Sequence, residues 1–441
     1  MTHAKKFVTA LTITAMAGFA LAGCGNNPTD PATSGAGGSS SAAAGEDVAM
    51  TFWHNGTGDK SQAYWKDVVA AFETDNPGVT IEIQVVQNEE LDGKLQTAMQ
   101  AGTAPDIFLQ RGGGKMAEMV DAGLVMDITD KIDADIKEAY GAGAFGFDTL
   151  AGKIYAMPMS AQPEGLWYSQ DLFDQAGITT NPTDMASFND AVSKLKAANI
   201  QPIALGAQDA WPAAHWYYSF ALRECSQDVV ENLATDKELA DGCWLRAFTD
   251  LDTLAKTEPF NQGFLTTVAQ QGAGSAAGLI ANHQAAMDLM GAWEPGVIGD
   301  LTPDKETLPD LRWFPFPAVD GGEGDPDAIM AGSDGYSCSA GAPDACVKFL
   351  NFIAQKEYNE GYATAYATIP ANSEAMGVVE DPALKAAATA FSKAPYSVLW
   401  FDTSLGQEVG NAVNNAVVAL LAGQADPAAA LAQMQAAVKA G

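Results

Sequence analysis

The sequence predicts an α/β protein with two lobes, each built on a doubly wound sheet flanked by helices. Two observations predict this fold class. Apolar strand patterns alternate with amphipathic helix patterns from Val48 to about residue 110, which is typical of a sheet with right-handed crossovers. The chain from Val48 onward, in a sequence that is 47% hydrophobic, is also longer than one hydrophobic core usually serves.

The first lobe begins with alternating strands and helices. Apolar runs predict buried strands at 48–53, 79–86 and 105–110. One helix is predicted from Asp59, with Gln62 three residues later as in a capping box, and a second over 91–99. Ligands bind beyond the carboxyl ends of strands in such sheets, so the loops at 54–58 and 110–114 are candidate sites.

The second lobe is predicted to begin near Tyr155. Its strand patterns lie at 165–168, 202–206, 286–290 and 312–316. A helix pattern covers 187–198, and a strand pattern at 331–339 leads to a helix from Asp344. Ala-rich helical patterns at 404–421 and 427–440 follow.

The N-terminal residues have the pattern of a lipoprotein leader. Lys5 and Lys6 precede an apolar run over 7–20, followed by Leu-Ala-Gly-Cys at 21–24. The alternative is a transmembrane anchor, but the run is short of the about 20 apolar residues that span a membrane. The tetrapeptide resembles the lipobox of bacterial lipoproteins, which implies cleavage before Cys24.

We therefore expect a signal peptide at 1–23 and diacylglycerol on the thiol of Cys24. Residues 24–46 are dominated by Asn, Pro, Thr, Ser, Ala and Gly, a composition that predicts a flexible tether. The mature protein is then extracytoplasmic and held at the cell membrane by its lipid alone.

Charge excludes two classes of partner. The formal net charge is −32, and removing the leader with its two lysines makes the chain more acidic. Nucleic acid is excluded because binding to a polyanion needs a basic surface. Attraction to anionic lipid is excluded for the same reason.

The cysteines fit an oxidising compartment. With Cys24 used for lipid, four remain, and four allow three disulfide connectivities. The short separations favour Cys225–Cys243 and Cys338–Cys346, while buried free thiols are the alternative. No CxxC pair occurs and the four histidines are scattered, so no metal site is predicted.

Common enzyme motifs are absent from the sequence. It contains neither Gly-x-Ser-x-Gly nor His-Glu-x-x-His, and the glycines at 112–114 lack the Lys-Ser/Thr of a phosphate-binding loop. A glycoside hydrolase needs only two well-placed carboxylates, and with 55 acidic residues that alternative stays open.

Aromatic residues stand beside small and polar ones in four predicted loops. These segments lie at 209–212, 291–295, 332–336 and 399–402. A sugar ring has an apolar face and a rim of hydroxyls, so an aromatic plate with polar neighbours suits it. The alternative is that each aromatic residue belongs to the core.

The order of several segments along the chain favours a sugar site over the core as the place of these aromatic residues. They are TFWHNG at 51–56, GTAPDI at 102–107, LVMDI at 124–128, YAMP at 155–158, LWYSQDLF at 166–173, GAWE at 291–294, GSDGYSCS at 332–339 and IPA at 369–371. In this order the chain resembles the extracellular solute-binding proteins of ABC sugar transporters, a group that includes maltose-binding protein. The resemblance covers the whole sequence from Val48.

The resemblance implies two lobes joined by a hinge, with chain crossings near 157, 328 and 367. Lobe 1 would comprise 47–157 plus 329–366, and lobe 2 would comprise 158–328 plus 367–441. It also implies a monomer without catalysis or cofactor, which closes on a sugar and docks on the permease subunits of the transporter.

The resemblance further implies a set of sugar-binding residues in both lobes. They are Asn55, Arg111, Gly112, Asp334 and Gly335 from the first lobe, and Glu164, Asp209, Trp211, Trp293, Glu294, Trp400 and Asp402 from the second. Many relatives have a tryptophan before the glycine run, whereas this chain has Arg111. Its guanidinium could bind sugar oxygens or pair with Glu164 across the cleft.

We therefore expect a lipid-anchored substrate-binding component of an ABC importer. Four aromatic segments suggest a ligand of about two to four sugar units of the cello-, xylo- or malto-type, because one plate usually serves one ring. The alternatives are a binding protein for another solute, such as a polyol or amino sugar, and a secreted glycoside hydrolase or other wall-active enzyme.

Overall fold

A computed structural model describes residues 47–440. The predicted signal peptide (1–23), lipidated Cys24 and tether (24–46) lie outside the described residues. Within 47–440, no helix combines the length and the apolar character needed to cross a membrane.

Strands and helices alternate along most of the described chain. The strands are β1 (Val48–His54), β2 (Val79–Val85), β3 (Ile107–Gln110), β4 (Thr149–Leu150), β5 (Lys153–Ile154), β6 (Met157–Ala161), β7 (Gly165–Ser169), β8 (Gln201–Ile203), β9 (Ala285–Met290), β10 (Leu311–Phe314), β11 (Ile329–Ala331), β12 (Ser333–Cys338), β13 (Ile369–Pro370) and β14 (Ser397–Leu399). The helices are α1 (Asp59–Asp75), α2 (Asn88–Ala101), α3 (Gly113–Asp121), α4 (Ala134–Ala144), α5 (Gln170–Gln175), α6 (Met185–Ala197), α7 (Trp211–Glu224), α8 (Gln227–Glu231), α9 (Leu233–Asp236), α10 (Gly242–Ala255), α11 (Ala276–Ala281), α12 (Glu294–Leu301), α13 (Asp344–Ala354), α14 (Lys356–Tyr366), α15 (Pro382–Lys393), α16 (Phe401–Ser404), α17 (Gln407–Leu421) and α18 (Pro427–Ala440).

A six-stranded sheet forms the centre of the first lobe, in the order β13-β6-β12-β3-β1-β2. β1 pairs in parallel with β2 and β3, whereas β12 pairs antiparallel with β3 and β6. The carboxyl ends of β1 and β3 therefore lie at the same edge of the sheet. This edge brings the loops that contain Asn55 and Arg111 together.

A four-stranded sheet forms the centre of the second lobe, in the order β10-β7-β9-β8. Only β8 and β9 pair in parallel, so this sheet is mixed, and β11 forms a separate parallel pair with β14. The predicted two-lobed α/β fold is confirmed. β6 and β13 belong to the first sheet, so lobes defined by their sheets would shift the crossings predicted near 157 and 367 by a few residues.

The start of α1 differs from the predicted capping box. Gly58 occupies the N-cap position without a side-chain cap, and Asp59 is the first helical residue. The Gln62 side chain donates instead to the Thr57 carbonyl at 2.7 Å. A Cβ on Gly58 would lie 2.0 Å from an Asp300 carboxylate oxygen, so glycine permits the close approach of this loop to the second lobe.

The core of the first lobe contains one aromatic residue that the sequence placed in a candidate sugar-binding segment. Tyr336 has no exposed surface, and its ring packs edge-on against Phe52 and Trp65, with centroids 5.2 and 5.1 Å away. The segment at 332–336 therefore provides no aromatic plate, because Tyr336 is buried in the core beyond a bulge that interrupts β12 between Asp334 and Gly335.

Two disulfides are present, with the predicted pairing. Cys225–Cys243 joins the end of α7 to the start of α10, and its α-carbons lie 5.0 Å apart. Cys338–Cys346 joins β12 to the start of α13, with α-carbons 6.0 Å apart. The alternative of free thiols at these positions is wrong.

Replacing both Cys225 and Cys243 by serine should lower the free energy of unfolding by about 2–4 kcal/mol, because the unfolded chain gains conformational freedom. Urea unfolding of both proteins measures the difference. The matched control replaces Cys338 and Cys346, whose separation of 8 residues rather than 18 predicts a smaller loss. An unchanged unfolding midpoint in the first variant would contradict the prediction.

Candidate functional site

A cleft of about 860 Å³ lies between the lobes and is lined by side chains of both. Most of the predicted site residues line it. They are Asn55, Arg111, Gly112, Asp209, Trp211, Trp293, Asp334, Trp400 and Asp402. The first lobe contributes a polar wall and the second lobe an aromatic floor.

The polar wall is organised around Arg111. Its Nη2 donates to Asn88 Oδ1 at 2.5 Å, and Nε lies 3.2 Å from Asp92 Oδ1. Its Nη1 lies 3.5 Å from Asp334 Oδ1. The guanidinium is thus occupied within its own lobe, and the suggested pairing with Glu164 across the cleft does not form.

Asp92 holds two cations in this wall. Lys115 Nζ lies 2.8 Å from Asp92 Oδ2, opposite the contact with Arg111. Burial would raise the pKa of Asp92, but the charges and hydrogen bonds of Lys115 and Arg111 lower it to about 2. Gly112 allows this loop to pack closely, because a Cβ there would lie 2.1 Å from the Phe147 carbonyl oxygen.

The aromatic floor consists of Trp211, Trp293, Trp400 and His215. Trp293 contacts Trp211 and Trp400 at centroid distances of 6.0 and 5.4 Å. The rings of His215 and Trp400 are stacked 5.3 Å apart, with 7° between their planes. These contacts join the rings into one continuous surface.

Glu164 lies behind the floor and does not line the cleft, so its predicted role as a direct ligand contact is not supported by its position. Its carboxylate accepts the Trp400 indole N–H, and its Oε2 lies 2.8 Å from His215 Nδ1. Ser219 Oγ donates to the other oxygen at 3.2 Å. Glu164 therefore orients two rings that do line the cleft.

Glu294 and Gly335 also lie outside the cleft lining. Glu294 is fully buried against Asp288, and burial raises the pKa of Glu294 well above its usual value and that of Asp288 to about 7. Gly335 follows Asp334 on β12, at a bulge in the pairing with β6, and its α-carbon packs against the backbone of Met157.

Several cleft residues were not predicted from the sequence. They are Asn88, Asp92, Lys115, Gln162, His215 and Asn414. Most lie on helices, where a single polar residue resembles any solvated position. Spacing offered a signal for His215, which is four residues after Trp211 on α7 and so shares its face.

One group of potential metal ligands converges in the part of the chain that the structure describes. It comprises Asp171, His283 and Asp310, which do not line the cleft. His283 Nε2 lies 3.0 Å from Asp310 Oδ2, so an ion pair accounts for this contact. The absence of a metal or cofactor requirement stays a prediction.

Comparison with known proteins identifies the family. The model of the bacterial extracellular solute-binding proteins matches residues 55–360. The chain belongs to this family. Two of the three similar proteins described next are named as binding proteins.

Two solved structures and one curated protein resemble the chain. A structure from work on xylan utilization by the thermophilic bacterium Caldanaerobius polysaccharolyticus is 26% identical, with a TM-score of 0.81, and the match covers 88% of this chain and 99% of that one. A chitin oligosaccharide binding protein is 28% identical, with a TM-score of 0.79 and coverages of 90% and 99%. The melibiose/raffinose/stachyose-binding protein MelE of Bacillus subtilis is 22% identical over 69% of this chain and 70% of its own.

Replacing Asp92 by asparagine should lower the free energy of unfolding near neutral pH. The free energy of unfolding should also change less as the pH is lowered. The folded pKa of about 2 lies below the ordinary 3.8, so ionised Asp92 stabilises the fold above about pH 4 and loses this contribution as pH falls through about 2. The expected loss is about 2 kcal/mol, measured by urea unfolding across this pH range.

The matched control for this experiment is Asp190→Asn. Asp190 pairs with Lys194 on an exposed helix face, where such pairs contribute about 0–1 kcal/mol. Equal losses of unfolding free energy in the two variants would contradict the prediction that Asp92, paired with Lys115 and Arg111, stabilises the fold more than an exposed ion pair does.

Proposed function

We propose that this protein is the substrate-binding component of an ABC importer and binds an oligosaccharide between its lobes. The observation that carries the proposal is the joined surface of Trp211, Trp293 and Trp400 opposite the polar wall around Arg111. Aromatic rings suit the C–H faces of sugars, and charged or amide groups suit their hydroxyls. The proposed binding residues are those predicted residues that line the cleft.

The indole N–H groups of Trp211 and Trp293 support this assignment. Both nitrogens are buried and have no hydrogen-bond partner among the described residues. A buried donor is costly when it is unpaired, so a shift of the rings on binding that brought a ligand oxygen to either N–H would stabilise the floor. An oligosaccharide offers such oxygens next to the apolar ring faces.

Three tryptophans rather than four aromatic segments line the cleft, which still suits a ligand of about two to four sugar units. The named ligands of similar proteins include chitin oligosaccharides, melibiose, raffinose and stachyose. We retain a cello-, xylo- or malto-oligosaccharide as the proposed ligand, with an amino sugar or polyol as the alternative.

Contacts across the cleft mouth support a closing motion of the lobes. Gln271 Nε2 donates to Gln87 Oε1 at 2.8 Å and to Glu89 Oε2 at 3.1 Å. Lys60 pairs with Glu306 at 2.8 Å. A ligand that touches both lobes would favour this arrangement, and the closed form would dock on the permease subunits.

The lipid anchor completes the proposal. Diacylglycerol on Cys24 and a tether over 24–46 would confine the receptor near the membrane and raise its effective concentration at the permease. The proposed lobes are 47–157 plus 329–366 and 158–328 plus 367–441, with the small shifts that the sheets suggest.

A panel of neutral oligosaccharides should contain members that raise the melting temperature and change the tryptophan fluorescence. At a ligand concentration 100 times the dissociation constant, binding stabilises the fold by about 2.7 kcal/mol. A panel without any shift would exclude sugar binding, whereas release of shorter sugars on incubation would favour a glycoside hydrolase.

Replacing Trp293 by alanine should weaken binding of the sugar found in that panel by about 2 kcal/mol, roughly 30-fold, because it lies at the centre of the aromatic floor. Isothermal titration calorimetry measures the change. Trp53→Phe, in the first lobe outside the cleft lining, is the control and should bind normally. Unchanged affinity of Trp293→Ala would assign Trp293 to the core alone.

A further inference from the structure

The charges that line the cleft restrict the class of sugar that it can bind. We infer that the cleft accepts uncharged or cationic oligosaccharides and excludes those that carry a carboxylate, sulfate or phosphate group. This inference rests on the proposed function and narrows its substrate class.

The cationic groups of the polar wall are already neutralised. Arg111 Nε lies 3.2 Å and Lys115 Nζ 2.8 Å from the two oxygens of Asp92. Arg111 also faces Asp334, whose Oδ1 lies 3.5 Å from Nη1. An anionic ligand would have to replace these carboxylates to gain a cation of its own.

The third cation of the cleft lining, Lys305, lies beside the acidic residue Asp300. Its Nζ donates to the backbone carbonyl of Asp300, whose carboxylate also lines the cleft. The side chain of Lys305 is exposed, so its charge is well screened by solvent.

Two carboxylates on the second-lobe side contact neutral donors. Asp209 Oδ2 accepts the backbone N–H of Ala269 at 2.7 Å. Asp402 Oδ2 accepts the amide of Asn414 at 3.0 Å. A ligand on the aromatic floor would therefore meet the carboxylates of Asp209 and Asp402, although the charge of Asp402 also acts on Arg111.

The balance of charge across the whole cleft is negative. Seven carboxylates line it, against three arginine or lysine side chains. If the exposed groups Asp59, Glu89 and Lys305 are left out as screened by solvent, five carboxylates face two cations. Burial raises the pKa of Asp300 and Asp334, yet if both were protonated, three carboxylates would still face two cations. A cleft lined by one sign of charge concentrates the field and repels ligands of the same sign.

The test compares matched pairs of ligands by calorimetry. Cellotriose, xylotriose, maltotriose and triacetylchitotriose are each titrated beside a counterpart that carries one uronate group. We expect any neutral sugar that binds to do so at least about ten-fold more tightly than its uronate counterpart at low salt. The ratio should shrink at high salt, because ions screen the repulsion.

A charge variant separates electrostatics from shape. Asp300→Asn should reduce the ratio of the two affinities, whereas Asp190→Asn, on a distant exposed helix face, should leave it unchanged. Uronates that bind as tightly as neutral sugars would overturn the inference and leave the proposed function intact, as would a ratio that is insensitive to both salt and Asp300→Asn. If no sugar in either series binds, the proposed function fails and the inference with it.

Discussion

The aromatic floor of the cleft depends on the contacts of one buried carboxylate, that of Glu164. A buried charge is tolerated only when it is hydrogen-bonded, and Glu164 accepts hydrogen bonds from Trp400 and Ser219 and closely contacts His215. Its backbone N–H donates to the Met330 carbonyl at 2.9 Å. One residue thus ties β11, α7 and the start of α16 together behind the aromatic floor.

The two walls of the cleft differ in their chemistry. The first lobe presents a network of charges that is already satisfied, while the second presents rings whose N–H groups lack partners. Neither wall alone surrounds a ligand. Recognition of a sugar would therefore require both lobes, and this requirement links binding to the relative position of the lobes.

Local patterns predicted the fold well because they report on single elements. The strand at 48–53, the loop at 54–58 and the tryptophan at 293 were identified from their immediate neighbours in the sequence. The partners of Arg111 were missed because Asp334 is 223 residues away and meets Arg111 only through the sheet, while Asp92 lies on α2, whose packing the sequence does not specify. Glu294 and Gly335 were misplaced because the residue adjacent to a cleft residue can face the core.

Each disulfide closes a loop inside a single lobe. Cys338–Cys346 links β12 to α13, and Cys225–Cys243 links α7 to α10. Oxidation therefore stiffens each rigid body without placing a covalent bond between them. The disulfides would therefore stabilise each lobe without opposing the separation of the lobes that release of a bound sugar would require.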